Sequence, residues 1–274
     1  MAINSHRQYG INAGRLGTSV ERLSSGFRVN RAADDAAGLA ISEKMRTQIR
    51  GLNQASRNAQ DGISLVQTAE GAMQSAHGIM QRMRELAVQS ANGTNENFDR
   101  DALQLEFKNL IDELGDIEST VKFNNMEVFG GTAPEGLTFT LQSGANMGDT
   151  TAFNIGRLNN VTLMADPTGT PSGTQANIAR QGNAALAIDL LDRAINTLSM
   201  ARANLGAIQN RLEFKIQNLD NTAENLQAAE SRIRDVDMAQ QMTAFTRDNI
   251  LFQASTAMLA QANTLPQGVL QLIS

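Results

Sequence analysis

The stretch "LDRAINTLSMARANLGAIQNRLEFKIQNLDNTAENLQAAESRI", Leu191 to Ile233, decides the fold. Leu191, Leu198, Leu205, Leu212, Leu219, Leu226 and Ile233 fall seven residues apart without a miss. A sustained seven-residue apolar repeat makes a coiled-coil seam, and its period implies left-handed supercoiling. The spacing predicts one helix from about Ala184 to past Ile233. A seam needs a partner, and the chain carries one. From Met45 through Leu52, Ala59, Val66, Met73, Met80 and Met83 to Ala87, apolar or small residues recur at steps of three or four, with no proline between them. At 1.5 Å per residue that helix spans roughly 65 Å.

Outward from this pair the pattern changes twice. "NGTNEN", Asn92 to Asn97, is a turn signal, and a further helix follows with Leu103, Phe107, Leu110, Leu114, Ile117 and Val121 on one face. So short a connection favours antiparallel neighbours. Residues 129–182 hold three of the four prolines and many Gly, Thr and Asn. Within them "LTFTLQ" (137–142) and "TAFNI" (151–155) alternate apolar and polar residues, which predicts a β-hairpin with a long loop. Residues 160–182 read as loop with short extended pieces.

The ends differ from the middle. Residues 1–33 carry Ile3, Ile11, Leu16, Val20, Leu23 and Phe27, interrupted by Gly10, Gly14, Gly17 and Gly26. Each helical glycine costs about 1 kcal/mol relative to alanine, so this helix needs a partner. The amphipathic stretch from Met238 to Ala262, expected to end near Pro266, is the natural one. Both terminal segments are expected to be weakly ordered in a free monomer and to order on assembly. The expected fold is mainly α: a long antiparallel helical coiled-coil rod with a small β-hairpin, its terminal helices pairing with each other.

A net charge of −5 and a pI near 5.2 argue against a nucleic-acid partner. No run of 18 apolar residues is present, so no membrane insertion is expected. No cleavable secretory signal is visible at the N-terminus. Without cysteine there is no disulfide framework or thiolate chemistry. Lys is scarce beside Arg, which suits fixed bidentate contacts in interfaces.

The chemistry-bearing residue types do not assemble into an active site. Asp34 and Asp35 would suit an acid–base or metal pair, but neither a His nor a third carboxylate lies near them, and "NRAADDAAGLAISEKM" reads better as loop, cap and helix. Asp235 and Asp237 form a D-x-D beside Arg232 and Arg234, which could ligate a divalent ion but more often is a solvated or arginine-paired face. His6 and His77 are the only histidines, and no H-E-x-x-H, G-x-S-x-G or Walker-type loop exists. Met73, Met80 and Met83 form a stripe that fits adaptable core packing. Asn92-Gly93-Thr94 and Asn160-Val161-Thr162 match the glycosylation sequon weakly. No catalytic role, cofactor or metal is expected.

Two long segments carry a resemblance. "LSSGFRVNRAADDAAGLAISEKMRTQIRGLNQASRNAQDGISLVQTAEGAM" (23–73) closely resembles the N-terminal signature of bacterial flagellins. "LGAIQNRLEFKIQNLDNTAENLQAAESRIRDVDMAQQMTAFTRDNILFQASTAMLAQAN" (205–263) resembles their C-terminal signature. The resemblance implies a structural subunit that polymerises into the flagellar filament for motility. It implies an inner coiled-coil domain from residues 1–36 and 234–274, and a helical rod domain from 37–233 that includes the 129–182 hairpin region. It further implies export in unfolded form through the flagellar type III channel and an extracellular location. The implied partners are other copies of the chain, an export chaperone at the C-terminal helix, and filament cap and hook-junction proteins.

Site residues follow from the same resemblance. Arg31, Asp34 and Asp35 are expected at the joint between the two domains. "QRMRELAVQSAN" (81–92) resembles the flagellin patch recognised by vertebrate Toll-like receptor 5, which carries over to Arg82, Leu86 and, on the adjoining helix, Glu106. The segment before "RLSSG" is about one heptad shorter than is usual for flagellins, and richer in glycine. A hook–filament junction protein, with similar terminal helices, is the alternative.

Overall fold

The computed structural model describes residues 2–130, 136–158 and 177–273. In chain order these are α1 (Ala2–Ser25), α2 (Ala36–Ala91), α3 (Asn97–Thr120), the strands β1 (Lys122–Phe123), β2 (Met126–Glu127), β3 (Leu137–Gln142) and β4 (Thr150–Ile155), then α4 (Gln181–Arg234) and α5 (Met238–Ile273). The chain divides into two compact units: residues 1–50 with 222–274, and residues 51–221. Among the described residues no helix is long and apolar enough to cross a membrane.

In the unit of residues 51–221, α2 and α4 run antiparallel, as their cross-links show. Glu70 faces Arg202 and Arg84 faces Asp192, so partners on α4 fall in number as those on α2 rise. The predicted faces meet there. Val66, Ala69, Met73, Ala76 and Met80 pack against Ala194, Leu198, Leu205 and Leu212 in one core. The methionine stripe is core, as its unbranched and polarizable side chains suit. Leu191 to Leu219 are buried along the seam. Leu226 and Ile233 lie in the other unit and are only half-buried. In the unit of residues 51–221, α3 and the hairpin cover the seam.

The hairpin forms as the alternation predicts. β3 pairs with β4 antiparallel, Leu137 opposite Ile155 and Gln142 opposite Thr150. Phe139 stacks on Phe153 across the ladder, their ring centroids 5.9 Å apart, and Phe153 and Ile155 enter the α2–α4 core. Glycine lets the hairpin approach: a Cβ on Gly62 would lie 2.2 Å from a Leu141 methyl. The β1–β2 hairpin was not expected. Its turn residues Asn124 and Asn125 stand at φ 47° and 64°, the left-handed pair that a tight two-residue hairpin requires and asparagine tolerates. Residues 159–176, including most of the expected 160–182 loop and Asn160, lie outside the described residues.

In the other unit α1 packs along α5. The expected stop near Pro266 does not occur: α5 continues to Ile273. Proline disfavours a helix interior by about 3 kcal/mol, but the residues beyond it, such as Leu270, Gln271 and Leu272, are good helix formers and the helix runs through without a break.

Truncating the seam where it is fully buried should cost most. Leu198→Ala is expected to lower the unfolding free energy by about 2–5 kcal/mol, and Leu226→Ala by clearly less. Denaturant unfolding followed by circular dichroism checks both.

Candidate functional site

Two places gather the residues that the sequence singled out. The first is the joint where α1 gives way to α2 and α4 to α5. Gly26 ends α1 at φ +74°, a conformation glycine adopts without steric cost, and its N–H bonds the Arg22 carbonyl at 2.9 Å. Phe27 then bridges Asp235 antiparallel, Val236 N–H donates to the Gly26 carbonyl at 3.0 Å, and Arg28 N–H donates to the Arg234 carbonyl at 2.6 Å. Arg234 is the hub. Its guanidinium lies 4.5 Å from the Phe27 ring centroid and pairs with Glu43 at 2.8 Å. The two aspartates of the D-x-D are exposed, so of the two readings the solvated face fits. Asp237 caps α5, accepting from the N–H groups of Ala239 at 2.9 Å and Gln240 at 3.2 Å.

The aspartate pair resolves into two local roles. Asp35 caps α2: its Oδ1 accepts from Gly38 N–H at 2.8 Å. Asp34 folds back, and its Oδ2 accepts from the N–H groups of Arg31 at 3.0 Å and Asn30 at 3.2 Å. Those two backbone donors hold its carboxyl below the ordinary value, with Arg22 and Arg31 adding smaller attractions. Arg31 pairs with Glu21 at 2.8 Å rather than with either aspartate. Among the described residues no group of three His, Asp or Glu is placed to hold a metal. His6 is exposed, and His77 is half-buried with Nε2 3.0 Å from the Gln81 amide.

The second place is the surface at the end of α2. Arg82 donates to Glu106 on α3, with its nearest contact at 2.9 Å, and to Glu85 at 3.0 Å. These two carboxylates raise its already high pKa, Glu106 contributing more. Arg84, two residues on, pairs with Asp192 at 2.6 Å. Arg82 and Glu106 thus come together at the surface. Leu86 departs from the expected set. It is 1% exposed and packs in a core with Met83, Phe107, Ile111 and Leu191. Helical spacing is the reason: positions 83, 86, 87 and 90 turn inward while 82, 85 and 89 turn outward. Leu86 seats α3 on α2. Behind it, buried Arg100 donates to the Ser90 carbonyl at 3.1 Å and the Asn92 carbonyl at 3.2 Å, holding the turn that contains the first sequon.

The sequence reading missed the polar contacts that fix how α1 lies on α5. Asn12 donates to the Ser255 hydroxyl at 2.6 Å, and Ser19 donates to Asp248 at 3.0 Å. Both steps, 12 to 19 and 248 to 255, are one heptad. Polar groups at seam positions set register, because any slip leaves them unpaired. Around these layers Tyr9 packs on Phe252, their ring centroids 5.2 Å apart, and large apolar side chains stay open. Ile3 is 89% exposed, Met258 64% and Ile250 61%.

Heptad helices, a hairpin packed on them and terminal helices paired in fixed register define a structural coiled-coil protein. The model of the bacterial flagellin N-terminal helical region matches residues 1–133, and that of the C-terminal helical region matches residues 188–273. The chain belongs to the bacterial flagellin family. It is 56% identical over 272 residues to a flagellin of Halalkalibacterium halodurans, covering 99% of this chain and 97% of that protein. It is 46% identical over 300 residues to a flagellin of Bacillus subtilis, again covering 99% and 97%. The crystal structure of Bacillus cereus flagellin superposes with a TM-score of 0.51 at 34% identity, covering 64% of this chain and 94% of that one. A putative flagellar hook-associated protein from Vibrio parahaemolyticus reaches a TM-score of 0.62 over 74% of this chain and 100% of that one, at 14% identity, a likeness of fold alone.

The sign of the Asp34 perturbation gives a pH test. A carboxyl held below its ordinary value of 3.8 stabilises the joint above that value, and the contribution is lost as pH falls through the lowered value. The Asn30 and Arg31 amide resonances should titrate together below the ordinary carboxylate range. In Asp34→Asn that titration should vanish. Asp35→Ala should destabilise the start of α2 by about 1 kcal/mol, read from amide exchange of residues 36–40.

Proposed function

We propose that the paired terminal helices carry the assembly function of this chain. The chain is a structural subunit of the flagellar filament. The observation that supports the assembly role is the row of large apolar side chains left open on α1 and α5, among them Ile3, Ile11, Val20, Met242, Ile250 and Met258. Helices this rich in alanine, glycine and serine bury too little of one another to account for that exposure, and further copies of the chain cover it. The helix breaks at 26–35 and 235–237 separate an inner coiled-coil domain, residues 1–36 and 234–274, from an outer helical domain, residues 37–233. Arg31, Asp34 and Asp35 hold the connection between them.

The subunit leaves the cell unfolded through the flagellar type III channel, and the filament lies outside the cell. A disulfide-free chain whose terminal helices complete their packing only on assembly suits that route. An export chaperone covers the C-terminal helix beforehand, and cap and hook-junction proteins meet the filament at its ends. Arg82 and Glu106 form a charged surface that Toll-like receptor 5 recognises on the free subunit, with Leu86 supporting the patch from beneath.

Negative-stain microscopy of purified protein after a sulfate-driven polymerisation step tests the assembly role, because sulfate strengthens apolar burial. Long uniform filaments from the intact chain, and none after removal of residues 1–33 or 238–274, are expected. Short capped oligomers alone, even with filament seeds, would instead support a junction protein. For the receptor, Arg82→Ala should lower signalling potency by about tenfold or more, as truncation of a hot-spot arginine does. Unchanged potency would remove the patch.

A further inference from the structure

The terminal pair carries a basic cleft that its own chain leaves unfilled. Beside the Ser19–Asp248 bond a cleft of about 750 Å³ opens between α1 and α5, lined by Arg15, Arg22 and Arg247 over Gly14 and Thr18. Three guanidinium groups face one carboxylate. That carboxylate, on Asp248, is buried and already accepts the Ser19 hydroxyl at 3.0 Å, while Arg247 Nε lies 3.9 Å from it. Among the described residues neither Arg15 nor Arg22 has an ion-pair partner. Arg22 acts on Asp34 only through space, and its Nε is buried without a hydrogen-bond acceptor. A buried donor left unpaired is rare in a finished structure and asks for an acceptor.

The surroundings say what kind of acceptor fits. Arg247 also lines a neighbouring groove formed by Met242, Thr246, Ile250 and Leu251, so the basic cleft runs into the apolar face already assigned to subunit packing. A free oxyanion would satisfy the arginines and leave that groove open. An acidic side chain on an apolar helix face would satisfy both. The chain has a net charge of −5, so copies packed together repel unless positive charge is concentrated where they touch.

We propose that this cleft receives an Asp or Glu carboxylate from a second copy of the chain, gripped by Arg15 and Arg22, as copies pack on the terminal pair. The planar guanidinium forks of two arginines suit a carboxylate, which can accept from both. The proposal rests on the filament-subunit reading and adds to it a charge-specific contact.

The test is seeded elongation of full-length wild type, Arg15→Gln, Arg22→Gln and Arg22→Lys. Arg57→Gln serves as control, because Arg57 is exposed on α2, outside the terminal pair, and bonds Gln54 on its own helix, at 3.1 Å. Circular dichroism confirms that each monomer keeps its helix content. Both glutamine variants should raise the critical concentration by about tenfold, the size of one lost charge-assisted contact of 1.4 kcal/mol. Arg22→Lys should fall between them and wild type, and Arg57→Gln should match wild type. Inorganic phosphate at constant ionic strength should compete and raise the wild-type critical concentration. Cleft variants that elongate like wild type would overturn the proposal. So would phosphate that lowers the critical concentration, since the cleft would then be a free-ion site. Wild type that never elongates would overturn the filament reading itself, and the contact with it.

Discussion

Apolar surface that one chain cannot bury is the constraint on which the rest of this molecule depends. In the unit of residues 51–221 three layers close over the α2–α4 seam, and Met73, Met80, Leu114, Phe129 and Leu198 are removed from water. Apolar area taken out of water stabilises by about 25 cal/mol per Å², so this unit holds itself together. The terminal pair has two helices and no third layer among the described residues. Tyr9 packs on Phe252 between α1 and α5, but large side chains such as Ile3 and Met258 stay open. The same sequence thus encodes one part that closes its own core and one part that leaves large apolar side chains open.

Register then matters more than raw stability. Apolar contacts across this pair, such as Tyr9 on Phe252, are non-directional and tolerate small shifts. Asn12–Ser255 and Ser19–Asp248, one heptad apart on each helix, penalise a slip by stranding polar groups. The joint imposes the same discipline on direction. Gly26 stops α1, the Phe27–Asp235 bridge ties the two crossings together, and Arg234 binds Phe27 and Glu43 at once. Asp34 and Asp35 serve that geometry by accepting backbone donors.

What could be read from the sequence was what depends on local period. The heptads from Leu191 to Leu219, the step-of-three-or-four face of α2 and the alternation in 137–142 and 151–155 each specify a buried face without knowledge of the partner. What could not be read depends on pairing or on one turn of phase. Leu86 falls in the same motif as Arg82 and yet points into the core, because the small rotation between i and i+4 carries it from the flank, where Arg82 sits, onto the inward row with Met83, Ala87 and Ser90. The polar layers of α1 and α5 were visible only as scattered Asn and Ser until the two helices were aligned. The tight Asn124–Asn125 turn had a signal, two adjacent asparagines between short extended pairs, that the helical pattern before it obscured. At Pro266 local preference was outvoted by the helix formers beyond it.

Amide hydrogen exchange of residues 2–25 and 238–262, compared between the free subunit and the assembled filament, tests the central claim most directly. If neighbours complete the terminal pair, these amides exchange quickly in the free subunit and become strongly protected in the filament, while those of α2 and α4 between 52 and 219 are protected in both. Equal protection of the terminal helices in the two states would contradict the account, because the pair would then be complete within a single chain.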